Sequence, residues 1–146
     1  MPLLTPSMAA MPAVNDATGS SKGRPSSVLL VLGDSISAGY GLEPQQGWVS
    51  LLQQRLAEHG SDLVVINASI SGDTTNGGLS RLPRLLEQYR PEILVLELGA
   101  NDGLRGTSLA LIETNLQRLI KMGQQAGAQV LLLGMRIPPN YGRRYS

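Results

Sequence analysis

Between residues 28 and 135, short unbroken apolar runs alternate with longer stretches in which apolar residues recur every three or four positions. Val28-Leu29-Leu30-Val31-Leu32 is apolar throughout, too short for a helix, and bounded by Gly33. Such a run fits a strand covered on both faces. Leu63-Val64-Val65-Ile66, Ile93-Leu94-Val95-Leu96-Glu97-Leu98 and Val130-Leu131-Leu132-Leu133 repeat the pattern. Between the first two runs, Trp48, Val49, Leu52 and Leu56 fall on one face of a helix that Gly60 closes. Leu79, Leu82, Leu85 and Leu86 line a second helix, with Pro83 expected near its start, where proline is tolerated. Leu109, Ile112, Leu116, Leu119 and Ile120 build a third, ending near Gly123 or Gly127.

Strand–helix alternation of this kind predicts an α/β fold, a parallel sheet with helices on both faces. Right-handed crossovers make all strands point the same way. They also place the first helix on one face and the next two on the other. The loops after residues 32, 67, 98 and 135 then share the carboxyl edge of the sheet. In open parallel sheets ligands bind at that edge, near the point where strand order reverses.

Composition narrows the function classes. At 146 residues the chain is one domain by length, and 42% apolar residues suffice for a core. A net charge of +1 gives no reason to expect a nucleic acid or an anionic membrane as partner. There is no Phe and one Trp, so no base-stacking platform is visible. The absence of Cys removes disulfides, thiolate metal sites and thiol chemistry. No apolar run approaches the length of a membrane span, so stable membrane insertion is not expected. Residues 1–27 are rich in Ala, Pro, Ser, Gly and Thr and lack periodicity, which predicts a disordered arm or a remnant signal segment.

Three polar clusters follow the strands. Gly33-Asp34-Ser35 follows the first, Ser71-Gly72-Asp73-Thr74 the second and Gly99-Ala100-Asn101-Asp102 the third. A serine at a tight strand-to-helix transition presents its hydroxyl at the sheet edge, beside backbone N–H groups that can bind an anion. Attack on an ester builds negative charge on the carbonyl oxygen, and donors must converge there. The backbone N–H groups of Ser35 and Gly72 and the side-chain amide of Asn101 supply three. Each residue also has a purely structural use: Ser35 as a helix cap, Gly72 as a turn glycine, Asn101-Asp102 as an Asx turn or cap. Asp34 and Asp73 are expected to hold loop geometry, with no proton-transfer role. Gly39-Tyr40-Gly41 is no phosphate loop, because neither a Gly-x-Gly-x-x-Gly nor a Gly-Lys-Ser/Thr motif is present.

These residues resemble the SGNH (GDSL-type) hydrolase family, specifically its bacterial acyl-CoA thioesterase/arylesterase/lysophospholipase branch. Gly33-Asp34-Ser35, Gly72 and Asn101 match three of its four blocks. Asn67-Ala68-Ser69-Ile70-Ser71-Gly72-Asp73-Thr74, Glu97-Leu98-Gly99-Ala100-Asn101-Asp102-Gly103-Leu104-Arg105-Gly106 and Pro138-Pro139-Asn140-Tyr141-Gly142 carry the closer likeness. The resemblance implies a three-layer α/β/α, flavodoxin-like sandwich with four of the usual five strands. It implies acyl ester or thioester hydrolysis on Ser35, with Ser35, Gly72 and Asn101 at the reacting centre. It implies neither metal nor cofactor, a small-molecule acyl substrate, and a periplasmic location.

The resemblance also places a base on a late Asp-x-x-His block, which has no counterpart here. The one histidine, His59, falls near the end of the first helix and is read as structural or solvated. Residues 28–146 are therefore expected to be a hydrolase domain incomplete at its C-terminus and impaired in catalysis. A non-catalytic acyl-binding module, or a remnant that self-associates through an exposed fourth strand, are the alternatives. The loop from Arg136 to Tyr141 either shapes the acyl pocket or is simply stiffened by Pro138-Pro139.

Overall fold

A computed structural model describes residues 27–136. The expected arm, apart from Ser27, and the Pro138–Gly142 segment lie outside the described residues. In chain order the elements are β1 (Val28–Gly33), α1 (Ser35–Ala38), a 3-10 turn (Pro44–Gln46), α2 (Trp48–Glu58) and β2 (Val64–Asn67). They continue with α3 (Thr75–Tyr89), β3 (Ile93–Glu97), α4 (Ala100–Leu104), α5 (Leu109–Gln125) and β4 (Gln129–Leu132).

The four strands form one parallel sheet in the order β2-β1-β3-β4. Period-2 alternation divides β1 between two cores. Leu30 and Leu32 face one side, where Leu79 and Leu82 of α3 and Leu119 of α5 pack with Leu94 and Leu96 of β3. Leu29 and Val31 face the other, against Val49 and Val95, with Trp48, Leu52 and Leu56 of α2 at the margin. Leu30, Val31 and Leu32 are fully buried, which explains why β1 is apolar at every position. One helix thus covers one face and two cover the other, giving the expected α/β/α sandwich.

The helix ends follow local chemistry. Asp34 caps α1 through Ile36 N–H, Thr74 caps α3 through Gly77 N–H, and Ser108 caps α5 through Leu111 N–H. After α2, Gly60 takes a left-handed conformation and Ser61 N–H reaches back to Leu56 O, the double-bonded ending that glycine permits.

Pro83 departs from expectation. It lies in the interior of α3, because the helix starts at Thr75, earlier than the leucine spacing showed. An internal proline costs about 3 kcal/mol. Pro83 itself is exposed, and burial of Leu79 and Leu82 in the same helix offsets the cost. The short helices α1 and α4 were also not visible as elements. With four and five residues they have no room for a periodic signal.

Strand order locates the crevice. The crossover after β1 leads outward to β2, whereas the one after β3 leads the opposite way to β4. The loops after β1 and β3 therefore part company, and the opening between them is the switch point of the sheet. Ser35 and Asn101 follow those two strands.

Candidate active site

Ser35 is the first residue of α1, half-buried at the carboxyl end of β1. The capping role belongs to Asp34, whose Oδ1 accepts Ile36 N–H at 3.0 Å. Ser35 N–H lies ahead of the helix's own hydrogen-bond ladder, and its Oγ has no partner among the described residues. Gly72 sits in the turn after β2 with φ of 84°, a conformation that L side chains rarely adopt. Its N–H also has no acceptor within the described chain. Asn101, in the first turn of α4, donates one amide hydrogen to Asp73 O at 2.9 Å. That bond orients the amide and leaves its second hydrogen free.

Cross-bonds hold these loops in register. Ile70 N–H donates to Gly33 O at 3.0 Å, joining the second cluster to the first. Asn67 Nδ2 donates to Ser37 O at 2.8 Å, joining β2 to α1. Asp73 accepts from Thr74 N–H and pairs with Arg81, which also donates to Ala68 O at 2.7 Å. Asp34 and Asp73 thus serve geometry, as expected.

Two buried carboxyl groups flank this edge: Glu97, which was not singled out in the sequence, and Asp102, which was read only as part of an Asx turn or cap. Asp102 is buried, accepting Thr75 N–H at 2.8 Å on one oxygen and Thr75 Oγ1–H at 2.7 Å on the other. Asn115 donates to Thr75 Oγ1 at 3.0 Å, which commits the threonine proton to Asp102. This brace ties α4, α3 and α5 together beneath Asn101. Glu97, at the end of β3, is 3% exposed and accepts from Ser37 Oγ at 2.6 Å. Burial pushes its pKa up to about 7; the Ser37 bond opposes the rise, and the Asp34 charge adds to it. A charged residue inside an otherwise apolar strand was the available signal for Glu97. Asp102 gave none, since its partner lies 27 residues away.

His59 does not join the site. It caps the C-terminal end of α2, is exposed, and its Nδ1 lies 2.9 Å from Arg55 O. The helix runs back against the strands, so that end lies at the amino edge of the sheet. Among the described residues no group of three or more His, Asp or Glu is placed to hold a metal ion.

A four-stranded parallel sheet with helices on both faces is a three-layer α/β/α sandwich of flavodoxin-like type. The chain belongs to the GDSL-like lipase/acylhydrolase family, whose pattern matches residues 31–146. It is 55% identical over 118 residues to an arylesterase of Vibrio mimicus, covering 81% of this chain and 59% of that protein. It is 47% identical over 118 residues to the thioesterase 1/protease 1/lysophospholipase L1 of Escherichia coli K12, covering 81% and 55% respectively. The crystal structure of TesA superposes with a TM-score of 0.78 at 58% identity, covering 81% of this chain and 66% of that one. The chain spans a little over half the length of these curated relatives.

Proposed function

We propose that the protein hydrolyses acyl esters or thioesters through an acyl-enzyme on Ser35. The observation that carries this reading is the set of half-free donors at one sheet edge: Ser35 N–H, Gly72 N–H and the second Asn101 amide hydrogen. Ser35 Oγ attacks the acyl carbonyl carbon and its proton passes to a general base. The three donors hold the developing oxyanion, each worth roughly 3–4 kcal/mol of barrier. The intermediate collapses, the C–O or C–S bond breaks, and the leaving alkoxide or thiolate takes the proton. Water then hydrolyses the acyl-serine by the same steps in reverse order.

His59, the one histidine of the sequence, lies away from the carboxyl edge, so it does not serve Ser35 as the base. Without a base Ser35 is a weak nucleophile, and oxyanion stabilisation with binding leaves about 10³-fold over water. The substrate is a small-molecule acyl ester or thioester rather than a nucleic acid. Among the described residues no helix is long and apolar enough to cross a membrane. Residues 28–146 act as the hydrolase domain, 1–27 as an arm or leader, and the site of action is the periplasm by family resemblance. Cell fractionation checks the last point.

Turnover of a p-nitrophenyl ester tests the reaction. Loss of turnover in Ser35→Ala, with a 10²–10³-fold fall in kcat for Asn101→Ala, supports it. Equal turnover in Ser35→Ala sinks it. A second reading, an acyl-binding or self-associating module, is favoured by β4. That strand is a sheet edge among the described residues, with Leu131 53% and Leu132 42% exposed. Sedimentation across a concentration series decides it: a constant monomer mass excludes self-association.

A further inference from the structure

Behind the Ser35 turn stands a buried carboxyl group that the proposed chemistry does not use. Glu97 Oε1 accepts two hydrogen bonds, from Ser37 Oγ at 2.6 Å and from Asp34 N–H at 3.3 Å. The two anchored residues, Asp34 and Ser37, straddle Ser35. Trp48 Nε1, which can only donate, gives its hydrogen to Ser37 Oγ at 3.1 Å. The hydroxyl proton of Ser37 is therefore committed to Glu97, and the relay runs in one direction: indole, hydroxyl, carboxyl. The packing leaves no slack. A Cβ at Gly33 would come within 2.7 Å of Ser37 Oγ and 2.8 Å of Glu97 Oε1, so only glycine lets the turn close onto the carboxyl. The remaining oxygen, Oε2, is buried without a partner among the described residues.

We infer that Glu97 is a positioning residue for Ser35: through Asp34 N–H and Ser37 it fixes the turn that carries the hydroxyl, and its charge state is relayed to Trp48. The inference rests on the reading of Ser35 as nucleophile. It needs no catalysis to be tested. When Glu97 is ionised, both bonds to Oε1 become charge-assisted and roughly twice as strong, and the turn is held. When Glu97 is protonated they slacken. Burial, with the Asp34 charge adding to it, brings that change to about pH 7. Asp34 is the charged group that faces Glu97. Ser37 of α1 and Trp48 of α2 are not ionisable, and neither β1 nor β4 contains an ionisable residue.

Trp48 is the single tryptophan, so its emission reports the relay directly. In the full chain, emission should change with pH with a midpoint near 7. Glu97→Gln keeps the size and the acceptor of the protonated acid and should abolish the transition. Ser37→Ala, which breaks the relay and removes one of the two bonds to the carboxyl, should abolish it too. It also serves as the second variant should Glu97→Gln not fold. The turn itself is read by a thiol probe: Ser35→Cys alkylated with iodoacetamide from pH 5 to 9. The rate profile should carry an inflection near pH 7 that Glu97→Gln removes, with rates above it several-fold apart, inside the ~10²-fold range of ångström-scale misplacement. An emission transition that survives both variants, or a thiol profile identical with and without Glu97, overturns the inference. Ester turnover unaffected by Ser35→Ala, with both titrations present, refutes the nucleophile reading and leaves the positioning of the turn established.

Discussion

The two sides of the sheet carry the same device, completed on one side and left open on the other. On the α3/α5 side, an amide of Asn115 donates to the Thr75 hydroxyl, which donates to Asp102. On the α2 side, the indole of Trp48 donates to the Ser37 hydroxyl, which donates to Glu97. In each case a donor-only nitrogen fixes the direction of the hydroxyl, and the carboxyl also takes a backbone N–H. The difference lies in the last oxygen. Asp102 uses both of its oxygens, whereas Glu97 Oε2 has no partner among the described residues. A carboxyl with both oxygens bonded is a rigid brace. One whose second oxygen is buried and bonded by no described residue holds its proton to an unusually high pH. The saturated side fixes Asn101 against α3, and the unsaturated side makes the Ser35 turn responsive.

The sharpest test removes the saturated brace. Asp102→Ala deletes two hydrogen bonds to a carboxylate and leaves Thr75 N–H and the Thr75 hydroxyl proton buried without an acceptor. Bonds of that kind contribute about 1.5–3 kcal/mol each. Urea unfolding should show a loss of about 4 kcal/mol with an unchanged m-value. A loss under about 1 kcal/mol would mean that the two sides do not differ.

Next in size is the pH response of the open side. Glu97 titrates near 4.5 in an unfolded chain and at about 7 when folded. Its contribution to stability is full below 4.5, where both states hold the proton, and declines as pH rises to 7, because the unfolded chain releases the proton first. Above 7 it is lost. The difference in unfolding free energy between wild type and Glu97→Gln should therefore shift by an amount on the order of 3 kcal/mol between pH 4.5 and 8. A pH-independent difference removes the contrast with Asp102.

A smaller effect belongs to the Asp73 clamp beside the saturated brace. A Cβ at Gly77 would overlap Asp73 Oδ1, so Gly77→Ala must displace a carboxylate that Arg81 holds. Overpacking of this kind costs about 1–3 kcal/mol, even though alanine suits a helix better than glycine. Unchanged thermal stability would mean that the clamp is loose.

The smallest effect is expected at the uncovered margin. Leu131 pairs with Val95 on the α2 side and is 53% exposed. Leu131→Lys should change stability by less than about 0.5 kcal/mol. Leu119→Ala, on the covered side and fully buried, should cost about 2–5 kcal/mol. Equal costs would show that something covers β4 in solution.

Much of this arrangement was legible in the chain. The runs at Val28–Leu32 and Ile93–Leu98, apolar but for Glu97, fit strands with both faces covered, and they became β1 and β3. The clusters at Ser35, Gly72 and Asn101 could be assigned to one sheet edge because parallel strands carry their following loops together. Less legible were α1 and α4, each shorter than the period needed to reveal a helix face. The interior position of Pro83 was hidden as well, because Thr75-Asn76-Gly77-Gly78 carries no apolar periodicity and is held helical by the Thr74 cap and the Asp102 bond.

The sequence by itself determined the layer order, the direction of every strand and the family. Those properties follow from local spacing and from the handedness of crossovers, which are written along the chain. Only the tertiary structure decided which polar residues support the Ser35 turn. Ser37 and Glu97 lie 60 residues apart, and Asn115 and Thr75 lie 40 apart. A hydrogen bond acts over about 3 Å in space and is blind to separation along the chain. Which carboxyl ends with a bare oxygen is therefore fixed by packing, and no local pattern records it.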